Sequence, residues 1–188
     1  MNEPFTVESS ETVFESRWTT IRRDQVRMPD GSSALREIAE HLSAVGVVPI
    51  DGDDNVVMLR QYRHAFGDHF LEIPAGVLDV ADEERVAAVR RELVEEVALH
   101  ADSVQELLTF TNSAGWTTET TTVYLATDLQ PTERPADFVL EAEEADMTVV
   151  RIPLDEAVRM VHEGEIVDAK TVIGLLAAWT QLDGVMSS

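Results

Sequence analysis

Cysteine is absent from the 188 residues, so disulfides, thiolate zinc sites and cysteine nucleophiles are excluded together. Lysine is almost absent as well: Lys170 stands alone beside thirteen arginines, against 36 Asp and Glu, and the formal charge is −22. Binding to a nucleic acid needs phosphates to be neutralised by basic side chains, and no window collects arginines free of nearby acids, so nucleic acid is not an expected partner. The same shortage excludes a basic membrane-surface face. Long apolar runs are missing too. The longest, such as 172–179, fall far below the roughly 20 residues of a membrane helix, and Met1-Asn2-Glu3-Pro4-Phe5 lacks the basic and apolar regions of a signal peptide. The expectation is a cytoplasmic enzyme, since 44% hydrophobic residues suffice for a folded core.

The acids are grouped. Ten fall between Glu72 and Glu106 with three arginines, and eleven between Glu133 and Asp168 with three. Such blocks are either solvated surface or oxygen ligands for a hard divalent cation, and spacing has to decide.

Residues 1–43 hold short apolar stretches, five arginines and a Pro29-Asp30-Gly31-Ser32 turn, which predicts a small β domain; residues 44–188 form the main domain. Strands are expected at 44–50 and 56–62, joined as a hairpin through Asp51-Gly-Asp-Asp-Asn55. That loop alternates acids as a calcium loop does, but its sixth position is Val56, where such a loop needs glycine. Further strands are expected at 69–73, 107–111, 120–126 and 147–152. Helices are expected at 83–99, at 154–163 with Gly164 as C-cap, and at 168–182 with Asp168 as N-cap. Strands first and helices last describe an α/β layer architecture.

The helix at 83–99 carries the chemistry. With Glu92 set at zero on a helical wheel, Glu96 falls at about 40° and Glu95 at about 300°, beside the buried stripe of Val86, Val89, Leu93 and Val97. Like charges at these spacings repel, most strongly where the core desolvates one flank. Arg91 pairs with Glu95 at i+4, but one arginine cannot balance three glutamates. One or two bound cations would.

Gly76…Glu83…Arg91-Glu92-Leu93-Val94-Glu95-Glu96-Val97-Ala98-Leu99 resembles the Nudix box, G-x5-E-x7-R-E-U-x-E-E-x-G-U with U apolar. It departs from the box in having six residues between Gly76 and Glu83 and in placing Ala98 where the second glycine belongs. Gln61-Tyr62-Arg63-His64, Leu71-Glu72-Ile73-Pro74-Ala75-Gly76, Ser113-Ala114-Gly115-Trp116, the acidic 141–147 and Gly164-Glu-Ile-Val-Asp-Ala-Lys170 are similar to ADP-ribose pyrophosphatases. The resemblance implies a Nudix-type α/β/α sandwich with a mixed sheet, preceded by the small N-terminal β domain that supports a homodimer. It also implies divalent-metal-dependent hydrolysis of ADP-ribose to AMP and ribose 5-phosphate, with Mg²⁺ as cofactor and Mn²⁺ as an alternative.

Under that resemblance Glu92 and Glu96, helped by Glu95 and the backbone of Ala75, hold the metal. Glu143, with Glu144 second, deprotonates the water; Glu95 and Arg91 belong to the catalytic set. Arg63 suits phosphoryl oxygens. Glu72 either touches substrate or metal or pairs with Arg91, the pairing being favoured. Gly76, Gly115 and Glu119 are candidates for substrate contact. Trp18, Trp116 and Trp179 are candidates for stacking on adenine, although a lone tryptophan is more often core or interface. No histidine shows metal-ligand spacing. Two alternatives share the box: a hydrolase of another nucleotide sugar or nucleoside triphosphate, and a non-catalytic nucleotide sensor.

Overall fold

A computed structural model of the chain describes residues 5–136 and 146–186, with the side chains of residues 183–186 left out. Two compact units emerge. The first comprises residues 1–43 and 110–120, the second residues 44–109 and 121–188.

In the first unit β1 (Thr6–Glu15), β2 (Thr19–Arg27) and β3 (Ser33–His41) form an antiparallel sheet in the order β1-β2-β3. The β1–β2 pairing is interrupted by register shifts at Val7/Ser9 and Thr12/Phe14, whereas β2 and β3 pair without one. Asp24 is the buried polar residue here, held by Ser10 Oγ at 2.6 Å and Arg22 Nε at 3.1 Å.

The second unit is built on two sheets. β7 (Ala75–Val77), β4 (Ala44–Pro49), β9 (Thr120–Pro131) and β8 (Leu99–Thr111) lie in the order β7-β4-β9-β8, with β4 antiparallel to β7 and parallel to β9. β10 (Thr148–Pro153), β5 (Asn55–Arg63) and β6 (Asp68–Glu72) form a second, antiparallel sheet. The helices are α1 (Arg85–Val97), α2 (Leu154–Glu163) and α3 (Ala169–Met186).

Alternation along the strands explains the layering. Val45 and Val47 of β4, Val57 and Leu59 of β5 and Tyr124 and Ala126 of β9 join Ala88, Val89, Leu93 and Val97 of α1 in one core. The intervening positions face the other way: a Cβ at Gly174 of α3 would lie 3.1 Å from Val48, Val123 and Ile73, so the glycine lets α3 approach the opposite face. The sheet is therefore mixed and covered by helix on both faces, an α/β/α sandwich. Among the described residues no helix is long and apolar enough to cross a membrane.

One expectation fails. The Asp51–Asn55 turn forms, with Asp51 Oδ1 accepting the amides of Asp53 and Asn55 at 3.0 Å each and Asp54 at φ 60, but it does not close a hairpin. After a single bridge, Ile50 to Val56, the strands part into different sheets. Both are apolar on two faces, as strands buried between layers are, and each finds its own partner on either side. The two last helices lie where capping chemistry places them. Gly164 caps α2 at φ 76, and Asp168 Oδ2 accepts the amide and hydroxyl of Thr171 at 3.0 and 2.7 Å.

α1 ends early because Leu99 begins β8, and its C-cap Ala98 sits in the left-handed region at φ 54 and ψ 43. A side chain there costs about 1 kcal/mol relative to glycine. The end is secured by other means: Arg134 donates from Nε to Glu95 O at 2.7 Å and from Nη2 to Glu96 O at 2.8 Å, and Thr132 N donates to Ala98 O at 3.0 Å. Ala98→Gly is expected to raise stability by about 1 kcal/mol and the midpoint of thermal unfolding by about 2–4 °C, read by calorimetry.

Candidate active site

Six of the residues singled out by sequence, Ala75, Gly76, Arg91, Glu92, Glu95 and Glu96, meet on one side of α1. Leu93 and Val97 anchor the helix in the core, and this orientation sets Glu92 and Glu96 at the edge of that core, 9% and 8% exposed. The strand β7 runs alongside. Ala75 N donates to Glu96 Oε2 at 2.9 Å, and a Cβ built on Gly76 would fall 1.8 Å from Glu92 Oε1. No residue with a side chain fits at 76 while Glu92 stays where it is.

Arg91 is the hub of the stripe. Its guanidinium donates to Glu83 at 3.1 and 3.2 Å, to Glu92 Oε1 at 2.7 Å and to Glu95 Oε2 at 3.0 Å. The hydrogen bonds to Glu83 hold Arg91 above its ordinary pKa, with the charge of Glu92 adding to them against the opposing effect of burial. The expected Arg91–Glu95 pair is present. Glu83 carries no role in the sequence reading beyond its place in the box, yet it forms the two-point clamp on Arg91. Its spacing eight residues ahead of Arg91 is the signal, but Glu83 precedes the helix, so wheel geometry does not connect the two.

Glu72 requires a correction. It does not pair with Arg91, which is taken up by Glu83, Glu92 and Glu95. At 1% exposure it is clasped by Arg63, whose Nε lies 2.6 Å from Oε1 and Nη2 2.5 Å from Oε2, and by Lys170. Burial works to raise the pKa of Glu72, but the hydrogen bonds from Arg63 and the charge of Lys170 outweigh it and keep the carboxyl below its ordinary value. The sign for stability follows: a depressed folded-state pKa contributes fully above the unfolded value near 4.3, and the contribution is lost as pH falls through the folded value. The stability gap between the native chain and Glu72→Gln should therefore be widest above about pH 5 and narrow toward pH 3. Denaturant titrations at several pH values check this; a gap independent of pH would contradict it.

Gly115 and Glu119 lie in the first unit. Glu119 faces His41, with Oε1 3.9 Å from Nδ1, and nothing lies within 4 Å of a Cβ placed at Gly115. Trp116 and Trp18 are 49% and 41% exposed, and Arg17 lies over the Trp18 ring at 4.3 Å. Trp179 is half-buried on α3. Glu143 and Glu144 lie outside the described residues.

Among the described residues no group of three acidic or imidazole side chains is placed to hold a metal ion; Glu83, Glu92 and Glu95 are gathered on Arg91. The donor set nevertheless fits a hard divalent cation. Four carboxylates outnumber the single guanidinium among them, two of them at the core edge, and the glycine at 76 lets the Glu92 carboxylate lie against the β7 backbone.

The NUDIX domain matches residues 40–173, and a nucleoside diphosphate sugar hydrolase N-terminal domain matches residues 5–38. The chain belongs to the Nudix family. It is 44% identical over 169 residues to an ADP-ribose pyrophosphatase of Mycobacterium tuberculosis, covering 90% of this chain and 80% of that one. A GDP-mannose pyrophosphatase of Klebsiella pneumoniae is 36% identical over 140 residues, covering 70% and 67%. The fold is similar to that of a solved ADP compounds hydrolase with a TM-score of 0.84 at 25% identity, over 98% of this chain and 97% of that one. As a Nudix pyrophosphohydrolase the chain cleaves the pyrophosphate bond of nucleoside diphosphate derivatives, and like the family it depends on a divalent metal.

Proposed function

We propose that this Nudix hydrolase converts ADP-ribose to AMP and ribose 5-phosphate with Mg²⁺, and with Mn²⁺ as a substitute. The observation that carries the reading is the seating of Glu92 and Glu96 against the Gly76 and Ala75 backbone: a pair of core-edge carboxylates, one accepting the Ala75 amide and the other lying where any side chain at 76 would displace it. Glu92, Glu96, Glu95 and the backbone of Ala75 are the residues that would hold the ion. When bound, it neutralises diphosphate oxygens and lowers the pKa of a coordinated water.

The chain's own groups do the remaining work. Arg91 fixes the rotamers of Glu92 and Glu95, so the carboxylates are arranged before substrate arrives. Arg63 has a side chain 40% exposed and offers a guanidinium to phosphoryl oxygens. Gly76 leaves room for the Glu92 carboxylate against the backbone, and its role as a substrate contact rests on the resemblance. Glu143, with Glu144 second, is assigned the role of base, and Gly115 and Glu119 that of substrate contacts; these rest on the resemblance.

The reading extends to a cytoplasmic homodimer joined through the first unit. The cysteine-free composition supports the compartment, and the exposed Val7, Val13, Phe14 and Leu35 of the β1-β2-β3 sheet support the interface. Light scattering across a concentration range tests the dimer.

Substrate choice is tested by product analysis with ADP-ribose, GDP-mannose and a nucleoside triphosphate, each with Mg²⁺. A kcat/KM for ADP-ribose at least about tenfold above the others supports the reading. Preference for GDP-mannose would move the assignment to another nucleotide sugar.

A further inference from the structure

The only lysine of the chain lies part-buried in a polar chain that starts at the N-terminus of α3 and ends at Arg63. Asp168 caps α3 through Thr171 and accepts Lys170 Nζ at 3.1 Å; Lys170 donates on to Glu72; Glu72 accepts both sides of the Arg63 fork. Exposure is least in the middle of this sequence and greatest at Arg63. The side chain of Glu72 is 1% exposed, that of Lys170 16%, and that of Arg63 40%. The polar chain is tied to the helix carboxylates through the backbone, since Glu72 stands three residues before Ala75, whose amide donates to Glu96 Oε2 at 2.9 Å.

Two cations and two carboxylates make up the group, with Lys170 shared between Glu72 and Asp168. Arg63 alone, in bidentate geometry, suffices to compensate Glu72. Lys170 balances Asp168 and takes a share of the Glu72 charge, so that Arg63 does not have to balance both carboxylates. Without Lys170, Arg63 would face both Glu72 and Asp168, and an anionic ligand would meet a group with one net negative charge instead of a neutral one.

We propose that Lys170 is a positioning residue for diphosphate binding, acting through Glu72 on the Arg63 guanidinium. The inference rests on the hydrolase reading above and deepens it. Lys170 itself, flanked by Glu72 and Asp168, contacts neither substrate nor metal.

The test is a double-variant cycle on the full-length chain, with thermal unfolding recorded for each protein. Two quantities are read: KM and kcat for ADP-ribose with Mg²⁺, and the dissociation constant of ADP by calorimetry, which requires no turnover. Lys170→Met should raise KM and the ADP dissociation constant about tenfold while kcat stays within about threefold. In an Arg63→Gln background the same change should alter either constant by less than about twofold, and Lys170→Arg should recover most of the lost affinity. Equal effects in both backgrounds would show that Lys170 acts directly and overturn the proposal, as would a fall in kcat at constant KM. If Lys170→Met does not fold, Lys170→Gln enters the same cycle with the same expected pattern. Absence of ADP-ribose turnover in the native chain, with the coupling still present in ADP binding, would defeat the hydrolase reading and leave the Lys170 relay standing.

Discussion

Glu96→Gln is expected to leave the fold intact and reduce kcat/KM by about 10³-fold in saturating Mg²⁺. The fold survives because glutamine keeps an oxygen where Ala75 N donates at 2.9 Å, and because removing one charge relieves repulsion with Glu92 and Glu95. Activity falls because an amide oxygen is a poor ligand for a hard divalent cation compared with a carboxylate. Steady-state kinetics beside a thermal melt checks both halves. A variant that melts within a few degrees of the native chain yet keeps a tenth of its activity would remove Glu96 from the metal set.

Gly76→Ala is the second large effect, and it changes neither charge nor any hydrogen-bonding group. The added methyl would sit 1.8 Å from Glu92 Oε1, 2.1 Å from Cδ and 2.7 Å from Cγ, far inside van der Waals contact. Either Glu92 swings out, losing its place at the core edge, or β7 shifts, loosening its pairing with β4 at Val45. The first route costs about 10²-fold or more in kcat/KM, and the second adds about 1–3 kcal/mol of destabilisation. Since Arg91 also holds Glu92, displacing Glu92 should disturb Glu95 as well. Near-native activity for Gly76→Ala would mean that Glu92 need not lie against this strand.

The stripe Glu92, Glu95 and Glu96 was legible in the sequence because it depends on helical periodicity, a local rule, and the apolar residues that orient it lie within one or two turns. The caps at Gly164 and Asp168 were legible for the same reason. What escaped depends on contacts between distant segments. Glu72 meets Lys170 across 98 residues, and that contact outcompetes the nearer-seeming Arg91, which the wheel could not show to be already engaged by Glu83. The Asp51–Asn55 turn misled because a turn fixes chain direction over four residues but not strand pairing beyond it, and β4 and β5 each had better partners. Arg134 was unreadable as a clamp on α1, since its acceptors are backbone carbonyls almost forty positions earlier. Ala98, a departure from the box, is tolerated because that clamp and Thr132 secure the helix end.

The most direct test of the central claim is release of AMP from ADP-ribose by the native chain, with Mg²⁺ present or chelated, beside Glu96→Gln under the same conditions. AMP formed only with metal, and reduced about 10³-fold in the variant, is the predicted result. AMP release that persists after chelation, or that Glu96→Gln leaves unchanged, would contradict a metal site built from α1 against Ala75 and Gly76.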